Sequence, residues 1–450
     1  MARSGWEILC VRYFGTDGIR GRFGESVINL DFAYSIGLAL GAYLLEKGLD
    51  APHSVVLGRD TRPSGKALLE ACALGLEEKG VSCTDAGILP SPALAFAVLF
   101  TQSSLGVMIT ASHNPHTDNG IKLFSGKGAK FSIAEEMRIE SLIKLRSPTT
   151  LAPSNLKSRN LCLPYLENLR KRFPPSFLEG RKIVLDLANG ATMDTSRQAF
   201  ESFGADLGLL STGDGRINEG VGSEFPTFLA KEVIEKKAEM GIAHDGDGDR
   251  VIFVGSDGKI MDGDKILGLL AQTAREKNRL KGNAFVATVH SNSGLGEFLN
   301  QLGVDFHRAS VGDRNVASMM KEVGCNWGGE SSGHVIASDY LPTGDGLFIA
   351  LTLALHLVEC GGKLSELAKE ITLWPSKSGS FRVMDKKPLE ECHELQEVLG
   401  ECNHKLMDQG RILLRYSGTE NKVRLLVEAK EKDKADAIFE DLVKTIQKTL

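Results

Sequence analysis

Three carboxylates at alternate positions, in Asp245-Gly246-Asp247-Gly248-Asp249-Arg250, make this the most chemically loaded hexapeptide in the chain. In an extended loop such spacing lets all three converge on one side, while the intervening glycines remove side-chain bulk and open unusual backbone angles. Oxygen donors without His or Cys suit Mg²⁺, admit Mn²⁺ or Ca²⁺, and disfavour zinc. An EF-hand loop is the rival pattern. It fails, because its sixth position must be glycine and is Arg250, and its twelfth must be glutamate and is Ser256. A plain solvated turn would crowd three like charges together with only Arg250 nearby in sequence. A divalent cation relieves that repulsion and leaves coordination positions open for a phosphate oxygen.

A serine stands at the end of an apolar run, where Gly106-Val107-Met108-Ile109 leads into Thr110-Ala111-Ser112-His113-Asn114-Pro115. Loops at the ends of buried strands carry the chemistry of α/β folds, and beside a cation Ser112 could carry a phosphoryl group. A serine capping a turn fits this segment alone equally well. A second serine lies in Gly329-Glu330-Ser331-Ser332-Gly333, which satisfies the G-x-S-x-G hydrolase elbow. The elbow needs a strong strand before it, and Gly324-Cys325-Asn326-Trp327-Gly328 does not read as one, so the match is treated as chance. Arg415-Tyr416-Ser417-Gly418-Thr419-Glu420, with Arg424 beyond, combines guanidinium, hydroxyls and a glycine turn. Those are the ingredients of an anion nest; an ordinary hairpin turn is the alternative. Gly15-Thr16-Asp17-Gly18-Ile19-Arg20-Gly21 is a further glycine-rich loop, weak by itself. Neither a Gly-Lys-Ser/Thr triplet nor G-x-G-x-x-G occurs, so the expected phosphate belongs to a small metabolite rather than a nucleotide cofactor.

Regular elements must hold these loops. Val55-Val56-Leu57, Ile183–Leu187 and Phe285–Val289 are short β-branched runs, each followed by a polar loop and then a helical pattern such as Lys66–Glu78. This grammar predicts βα units and largely parallel sheets, recurring as three α/β domains of similar plan. Trp374-Pro375-Ser376-Lys377-Ser378-Gly379 reads as a linker. Beyond it, Ile412–Leu414 and Val423–Val427 bracket a turn, and a last helix repeats apolar residues at Ala435, Ile438, Phe439, Leu442, Val443 and Ile446. A small α+β domain is expected there. The predicted bounds are 1–157, 158–258, 259–373 and 374–450.

Composition narrows the class. Of 450 residues, 42% are hydrophobic and 25% charged, as in soluble globular chains. The 49 glycines exceed the usual ~7% and suit a chain rich in tight loops. A net charge of −5 argues against nucleic-acid and anionic-membrane partners. The uncharged stretch Ile88–Thr117 is broken by Pro90, Pro92 and Thr101-Gln102-Ser103-Ser104 into pieces shorter than the ~20 residues of a membrane span. It reads as a buried helix, a turn and a buried strand. Met1–Phe14 does not read as a signal peptide, and the eight cysteines show neither CxxC pairs nor metal-ligand spacing. A cytoplasmic protein with reduced thiols is expected.

Taken in order, Tyr13–Gly21, Thr110–Pro115, Asp245–Arg250, Gly329–His334 and Arg415–Glu420 resemble the motifs of the α-D-phosphohexomutases, and the resemblance runs the length of the chain. Within that superfamily the chain looks most like the phosphoglucosamine mutase branch. The resemblance implies three α/β domains with mixed, largely parallel sheets plus a C-terminal α+β domain around a central cleft, each contributing one loop. It implies that Ser112 is phosphorylated as an activating step. It also implies that Ser112, Asp245, Asp247 and Asp249 hold one Mg²⁺ per chain. Glu330 and Ser332 would read sugar hydroxyls, and Arg415, Ser417, Gly418 and Thr419 would grip the phosphate that does not react. Arg20, His113, Lys122, Arg250 and His334 fall where the family has cleft residues, with Lys122, His113 and His334 as unranked general acid and base. Ser331, Asn421 and His244 depart from the residues common at their positions, and Ser331 bears on sugar preference.

The implied reaction interconverts glucosamine 6-phosphate and glucosamine 1-phosphate through a 1,6-bisphosphate, serving UDP-N-acetylglucosamine and cell-wall precursor synthesis. A phosphoglucomutase/phosphomannomutase with the same chemistry is the near alternative. A serine hydrolase using Ser331 and a non-catalytic sugar-phosphate sensor are the distant ones. The expected partner is a hexosamine phosphate, with no nucleic acid and no membrane, and a homodimer is compatible with the sequence.

Overall fold

The computed structural model describes residues 12–48, 53–148, 156–417 and 421–450. Four sheets follow one another along the chain. The first contains β1 (Ile19–Arg22), β2 (Ser54–Arg59), β3 (Ser82–Ile88), β4 (Leu105–Ile109), β5 (Asp118–Ser125) and β6 (Lys157–Ser158), in the order β1-β5-β4-β2-β3-β6. The second contains β7 (Lys182–Asp186), β8 (Asp206–Leu210), β9 (Met240–His244) and β10 (Val251–Gly255), ordered β10-β9-β7-β8. The third contains β11 (Ala284–Thr288), β12 (Asp305–Ala309), β13 (Trp327–Gly329) and β14 (Val335–Ala337), ordered β12-β11-β13-β14. In these three sheets the inner pairs run parallel, and β5, β10 and β14 turn back antiparallel on β4, β9 and β13. The expected mixed, largely parallel architecture is the one observed.

Strand composition explains it. Every residue of β4, β9 and β11 is buried, and a strand covered on both faces needs an unbroken apolar run rather than alternation. The antiparallel strands bring polar side chains back towards the loops. Lys122 in β5 stands opposite Met108 in β4, one strand away from the loop that carries Ser112. The predicted helix over 66–78 is observed as Gly65–Glu78, and the uncharged stretch divides into a helix, Ser91–Thr101, and β4. Among the described residues no single helix is long and apolar enough to cross a membrane.

The chain forms two compact units: one combines the chain up to His290 with Val304–Lys369, the other Ser291–Gly303 with Glu370–Leu450. The second unit is built on β15 (Ser376–Arg382), β16 (Gly410–Tyr416) and β17 (Lys422–Ala429), wholly antiparallel in the order β15-β17-β16. Helices His393–Leu406 and Lys432–Thr449 pack on it around Leu395, Val423, Val427, Ile438, Leu442 and Ile446. Helix Ser293–Gln301 joins this unit from the middle of the chain. The Ser293 N–H donates to Glu428 at 3.1 Å, and Lys430 pairs with Glu297 at 2.9 Å. Asn292 exchanges hydrogen bonds with the Trp374 backbone at 2.8 and 3.0 Å.

The reading of Trp374–Gly379 as a linker is corrected, because Ser376–Gly379 lie in β15 and pair with Leu425–Glu428. β15 is an edge strand with no buried residue. Its Ser/Lys/Gly composition therefore looks like a loop, although Phe381 packs on the C-terminal core and Lys377 pairs with Asp436 and Glu440.

Candidate active site

The acidic loop is the connection between β9 and β10, closed where His244 pairs with Val251. Its glycines have separate tasks. Gly248 has φ +73°, and a Cβ there would lie 2.4 Å from Thr192 Cγ2. A Cβ on Gly246 would lie 2.7 Å from the Ser112 carbonyl oxygen and 2.8 Å from Asn218 Nδ2, so that residue permits contact with the serine loop. Asp245, Asp247 and Asp249 are buried, and one oxygen of each lies within 4.8 Å of the others. Asp247 Oδ1 and Asp249 Oδ1 are buried and accept no hydrogen bond among the described residues. A hard divalent cation fits such oxygens.

The sequence offers only Arg250 as a nearby counter-charge. The structure corrects this. Lys122 Nζ lies 2.8 Å from Asp247 Oδ2, 2.8 Å from Asp249 Oδ2 and 3.0 Å from Asp17 Oδ2. Burial opposes the charge on Lys122, but the Asp17, Asp247 and Asp249 carboxylates outweigh it and hold its pKa well above the ordinary lysine value. Burial, reinforced by Asp247 and Asp249, pushes the Asp245 carboxyl well above the usual range. Arg250 donates its N–H to Asp245 at 3.2 Å and its guanidinium to Glu224 at 3.2 Å.

Ser112 Oγ donates to Asp245 Oδ2 at 2.6 Å and lies 3.3 Å from His113 Nδ1. The serine sits at φ 51°, a left-handed conformation that costs a non-glycine residue roughly 1 kcal/mol. Arg62 holds it there. Its guanidinium donates to the carbonyl oxygens of Ser112 at 2.9 Å, Asn114 at 2.8 Å and Asp118 at 2.8 Å, and also to that of Pro115. Asp60 anchors the guanidinium at 3.0 Å and receives the Thr110 hydroxyl at 2.6 Å. Asn218 Nδ2 donates to the Ser112 carbonyl at 2.7 Å from the second sheet's loops. Burial, with help from Arg250 and Arg20, pushes the His113 imidazole down to about 3. At neutral pH it is uncharged and can accept a proton-bearing group.

Arg20 pairs with Asp17, which also contacts Lys130; Lys130 reaches Asp313. His334 Nε2 lies 3.4 Å from Asp313 Oδ2 and 4.0 Å from Asp249 Oδ2. Glu330 and Ser332 sit on the turn between β13 and β14, where the Glu330 N–H donates to the His334 carbonyl at 2.8 Å. The Val251 N–H donates to the Gly333 carbonyl at 3.1 Å, which ties this turn to the acidic loop. Burial raises the Glu330 pKa, partly offset by His334. A strand does precede Ser331, contrary to the sequence reading, but β13 is three residues long and runs antiparallel to β14. Ser331 therefore lies in a hairpin turn, not at the strand-to-helix elbow a hydrolase uses.

In the C-terminal unit, Arg415 of β16 stands directly opposite Arg424 of β17. Burial and the Arg424 charge lower the Arg415 pKa. Two guanidiniums in this register favour an anion beside them. Ser417 is buried; its N–H donates to Lys422 O at 2.8 Å, and its carbonyl accepts from Lys386 Nζ at 2.6 Å. Gly418 and Thr419 lie outside the described residues.

The model of phosphoglucomutase/phosphomannomutase α/β/α domain I matches residues 11–149, that of domain III matches 262–373, and that of the C-terminal domain matches 380–445. The chain belongs to the phosphoglucomutase/phosphomannomutase family. The phosphoglucosamine mutase of Zymomonas mobilis subsp. mobilis is 40% identical to it over 445 residues, covering 97% of this chain and 99% of that one. That of Chlamydia caviae is 39% identical over 446 residues, covering 97% of each. Among solved structures, a phosphoglucomutase/phosphomannomutase family protein from Burkholderia thailandensis matches with a TM-score of 0.81 at 24% identity, over 96% of this chain and 97% of that one. Aspergillus fumigatus N-acetylphosphoglucosamine mutase, in complex with GlcNAc-6P and magnesium, matches with a TM-score of 0.66 at 17% identity, over 92% and 96%. These two likenesses concern the fold.

Sequence reading of this family member misses Asp60, Arg62, Lys130, Asn218 and Asp313. One signal was present for the first two: the charged segment Asp60-Thr61-Arg62 directly follows β2, the parallel neighbour of β4, so it lies beside the serine loop. Lys130, Asn218 and Asp313 stand alone among ordinary neighbours and carry no local signal.

Proposed function

We propose that this phosphoglucomutase/phosphomannomutase family member is a phosphoglucosamine mutase, interconverting glucosamine 6-phosphate and glucosamine 1-phosphate. The observation that carries the reading is the 2.6 Å hydrogen bond from Ser112 Oγ to Asp245 within a buried carboxylate triad. A hydroxyl held beside a cation-type site is what a transferable phosphoryl group requires. The choice of sugar is supported by relatives of that name at 39% and 40% identity over nearly the whole chain.

In the active enzyme Ser112 is phosphorylated. A sugar hydroxyl oxygen attacks the phosphorus, the bond to Ser112 Oγ breaks, and the hydroxyl proton leaves to a base; Ser112 Oγ takes up a proton. The 1,6-bisphosphate so formed returns its other phosphoryl group to Ser112 and departs as the isomer. Lys122, 2.8 Å from the acidic loop, and His113, 3.3 Å from Ser112 Oγ, stand with His334 as the acid–base candidates by their position. Asp245, Asp247 and Asp249 would hold Mg²⁺, which when bound supplies positive charge against the phosphoryl oxygens. Arg20 and Arg250 add fixed positive charge, Glu330 and Ser332 partner the sugar hydroxyls, and the Arg415–Thr419 segment partners a phosphate. The seven described cysteines are free of disulfides, which suits work in the cytoplasm.

Intact-mass analysis of the purified protein is expected to show one added phosphate mapping to Ser112. Glucosamine, glucose and mannose phosphates assayed side by side should give the highest kcat/KM with glucosamine, and Ser112→Ala should abolish turnover. A preference for glucose or mannose phosphates would make the chain a phosphoglucomutase/phosphomannomutase instead. Turnover surviving in Ser112→Ala would remove the assigned phosphoryl carrier.

A further inference from the structure

Six side chains close a ring inside the N-terminal unit. Lys122 lies 3.0 Å from Asp17, Asp17 contacts Lys130, and Lys130 contacts Asp313. Asp313 Oδ2 lies 3.4 Å from His334 Nε2, which is 4.0 Å from Asp249 Oδ2, and Asp249 lies 2.8 Å from Lys122. Carboxylates alternate with lysines around the circuit, and His334 occupies the remaining place between two carboxylates. That place calls for a donor, which is the Nε2–H of the imidazole. His334 is 4% exposed, and neither ring nitrogen makes a hydrogen bond of normal geometry among the described residues. Asp313 at 3.4 Å and Asp249 at 4.0 Å are the carboxylates facing Nε2.

Asp313 is the residue best placed to do so. It is the first residue of helix Asp313–Val323. Its neighbour Arg314 is bolted to Glu136, in the first turn of helix Ile133–Leu142, by a forked ion pair with one bond at 2.8 Å. The Arg314 side chain is thus engaged with Glu136 and stays outside the ring, whereas the Asp313 carboxylate faces Lys130 and His334.

We infer that Asp313 is a positioning residue for phosphoryl transfer. Its carboxylate fixes the His334 tautomer with the proton on Nε2, leaving Nδ1 as an acceptor. Through Lys130 and Asp17 it also keeps the Lys122 ammonium in line with the acidic loop. Outer partners that fix the tautomer and orientation of a metal-ligating histidine are commonly worth roughly 10–100-fold in activity, and the same range is the expectation for Asp313 acting on His334. The kinetic part of this inference rests on the mutase reading; the tautomer part does not.

The test compares Asp313→Asn, Asp313→Glu and Arg314→Gln in the full chain. Asp313→Asn should lower kcat by roughly 10–100-fold with KM held within about threefold, and Asp313→Glu should recover part of the loss. Arg314→Gln should lower the unfolding temperature while leaving kcat per folded molecule unchanged. In ¹⁵N-histidine-labelled protein, with the His334 signals assigned through His334→Gln, the wild type should show the Nε2–H tautomer and Asp313→Asn a mixture. Should Asp313→Asn not fold, Lys130→Gln opens the ring at the next member and should also reduce kcat with KM held. An unchanged tautomer in Asp313→Asn overturns the inference. So does a loss of activity in Asp313→Asn that only follows the folded fraction, as for Arg314→Gln. A tautomer change in a protein that turns over no hexose phosphate supports the assignment of Asp313 and sinks the mutase reading instead.

Discussion

Arg62 Nη2 donates to the Ser112 carbonyl at 2.9 Å, which puts a fully buried guanidinium beneath the loop that presents the serine hydroxyl. The same guanidinium collects three more carbonyls from residues 114–118 and is balanced by Asp60, itself fully buried. The left-handed serine is therefore held by a cation reached from the neighbouring strand, not by its own sequence.

Arg62→Met should accordingly be severe. It leaves Asp60 as a buried charge without its partner, a loss that costs about 3–5 kcal/mol, and it releases four carbonyls. Urea unfolding should show a drop of that size, with kcat for hexosamine phosphate falling alongside. A loss below about 1 kcal/mol would mean that the serine loop holds its own shape.

Glycines 248 and 24 have similar backbone angles, φ +73° and +80°, but different surroundings. A Cβ on Gly24 meets nothing within 4 Å, whereas on Gly248 it meets Thr192 at 2.4 Å. Gly24→Ala should cost about 1 kcal/mol, the conformational term alone. Gly248→Ala should cost a further 1–3 kcal/mol or so from overpacking and should weaken Mg²⁺ binding. Equal costs in chemical denaturation would show that contact with Thr192 is unimportant.

Lys122 contacts Oδ2 of Asp247 and Asp249, the same carboxylates whose Oδ1 atoms accept no hydrogen bond among the described residues and suit a divalent cation, so ammonium and metal would repel each other across them. Lys122→Met should bind Mg²⁺ more tightly by calorimetry, on the order of tenfold for the removal of one close like charge, while losing turnover. EDTA treatment should abolish activity in the wild type, with Mg²⁺ restoring it. Weaker Mg²⁺ binding in Lys122→Met would reverse the sign of this coupling.

A pH effect on stability follows from Asp345. It is 2% exposed, accepts the Tyr165 hydroxyl at 2.9 and 3.0 Å, and caps helix Gly346–Cys360 through the Phe348 N–H at 2.9 Å. Burial pushes its pKa up to about 6, offset in part by those hydrogen bonds. A carboxyl raised above its unfolded value of ~3.9 favours the fold fully below that value and loses the contribution as pH climbs through about 6. Asn at this position can keep both hydrogen bonds without ionising. Between pH 4 and 8, Asp345→Asn should therefore gain on the order of 3 kcal/mol over the wild type in unfolding free energy. A difference that stays flat across that range would refute the buried ionisation.

What could be read from the sequence is what is local. The acidic hexapeptide, the Ser112 loop and the turn at Glu330 each hold their chemistry within six consecutive residues, and strands such as β4 announce themselves by unbroken apolar runs. Arg62, Lys130 and Asp313 could not be read, since each is one charged residue whose meaning depends on a partner 50 or more positions away. β15 failed for another reason: none of its residues is fully buried, and Ser376-Lys377-Ser378-Gly379 read as a loop although Phe381 further along packs on the core.

The C-terminal unit takes helix Ser293–Gln301 from upstream of Val304–Lys369, so the chain passes between the two units at 290/291, 303/304 and 369/370. Such a unit is not a cassette. Splicing a relative's last segment in at residue 370 would confront its counterparts of Glu428, Lys430 and Trp374 with a resident Ser293, Glu297 and Asn292 that had not changed with them. Exchange between family members must carry 291–303 along with the tail, which makes recombination by a single crossover at 370 disruptive even between close relatives.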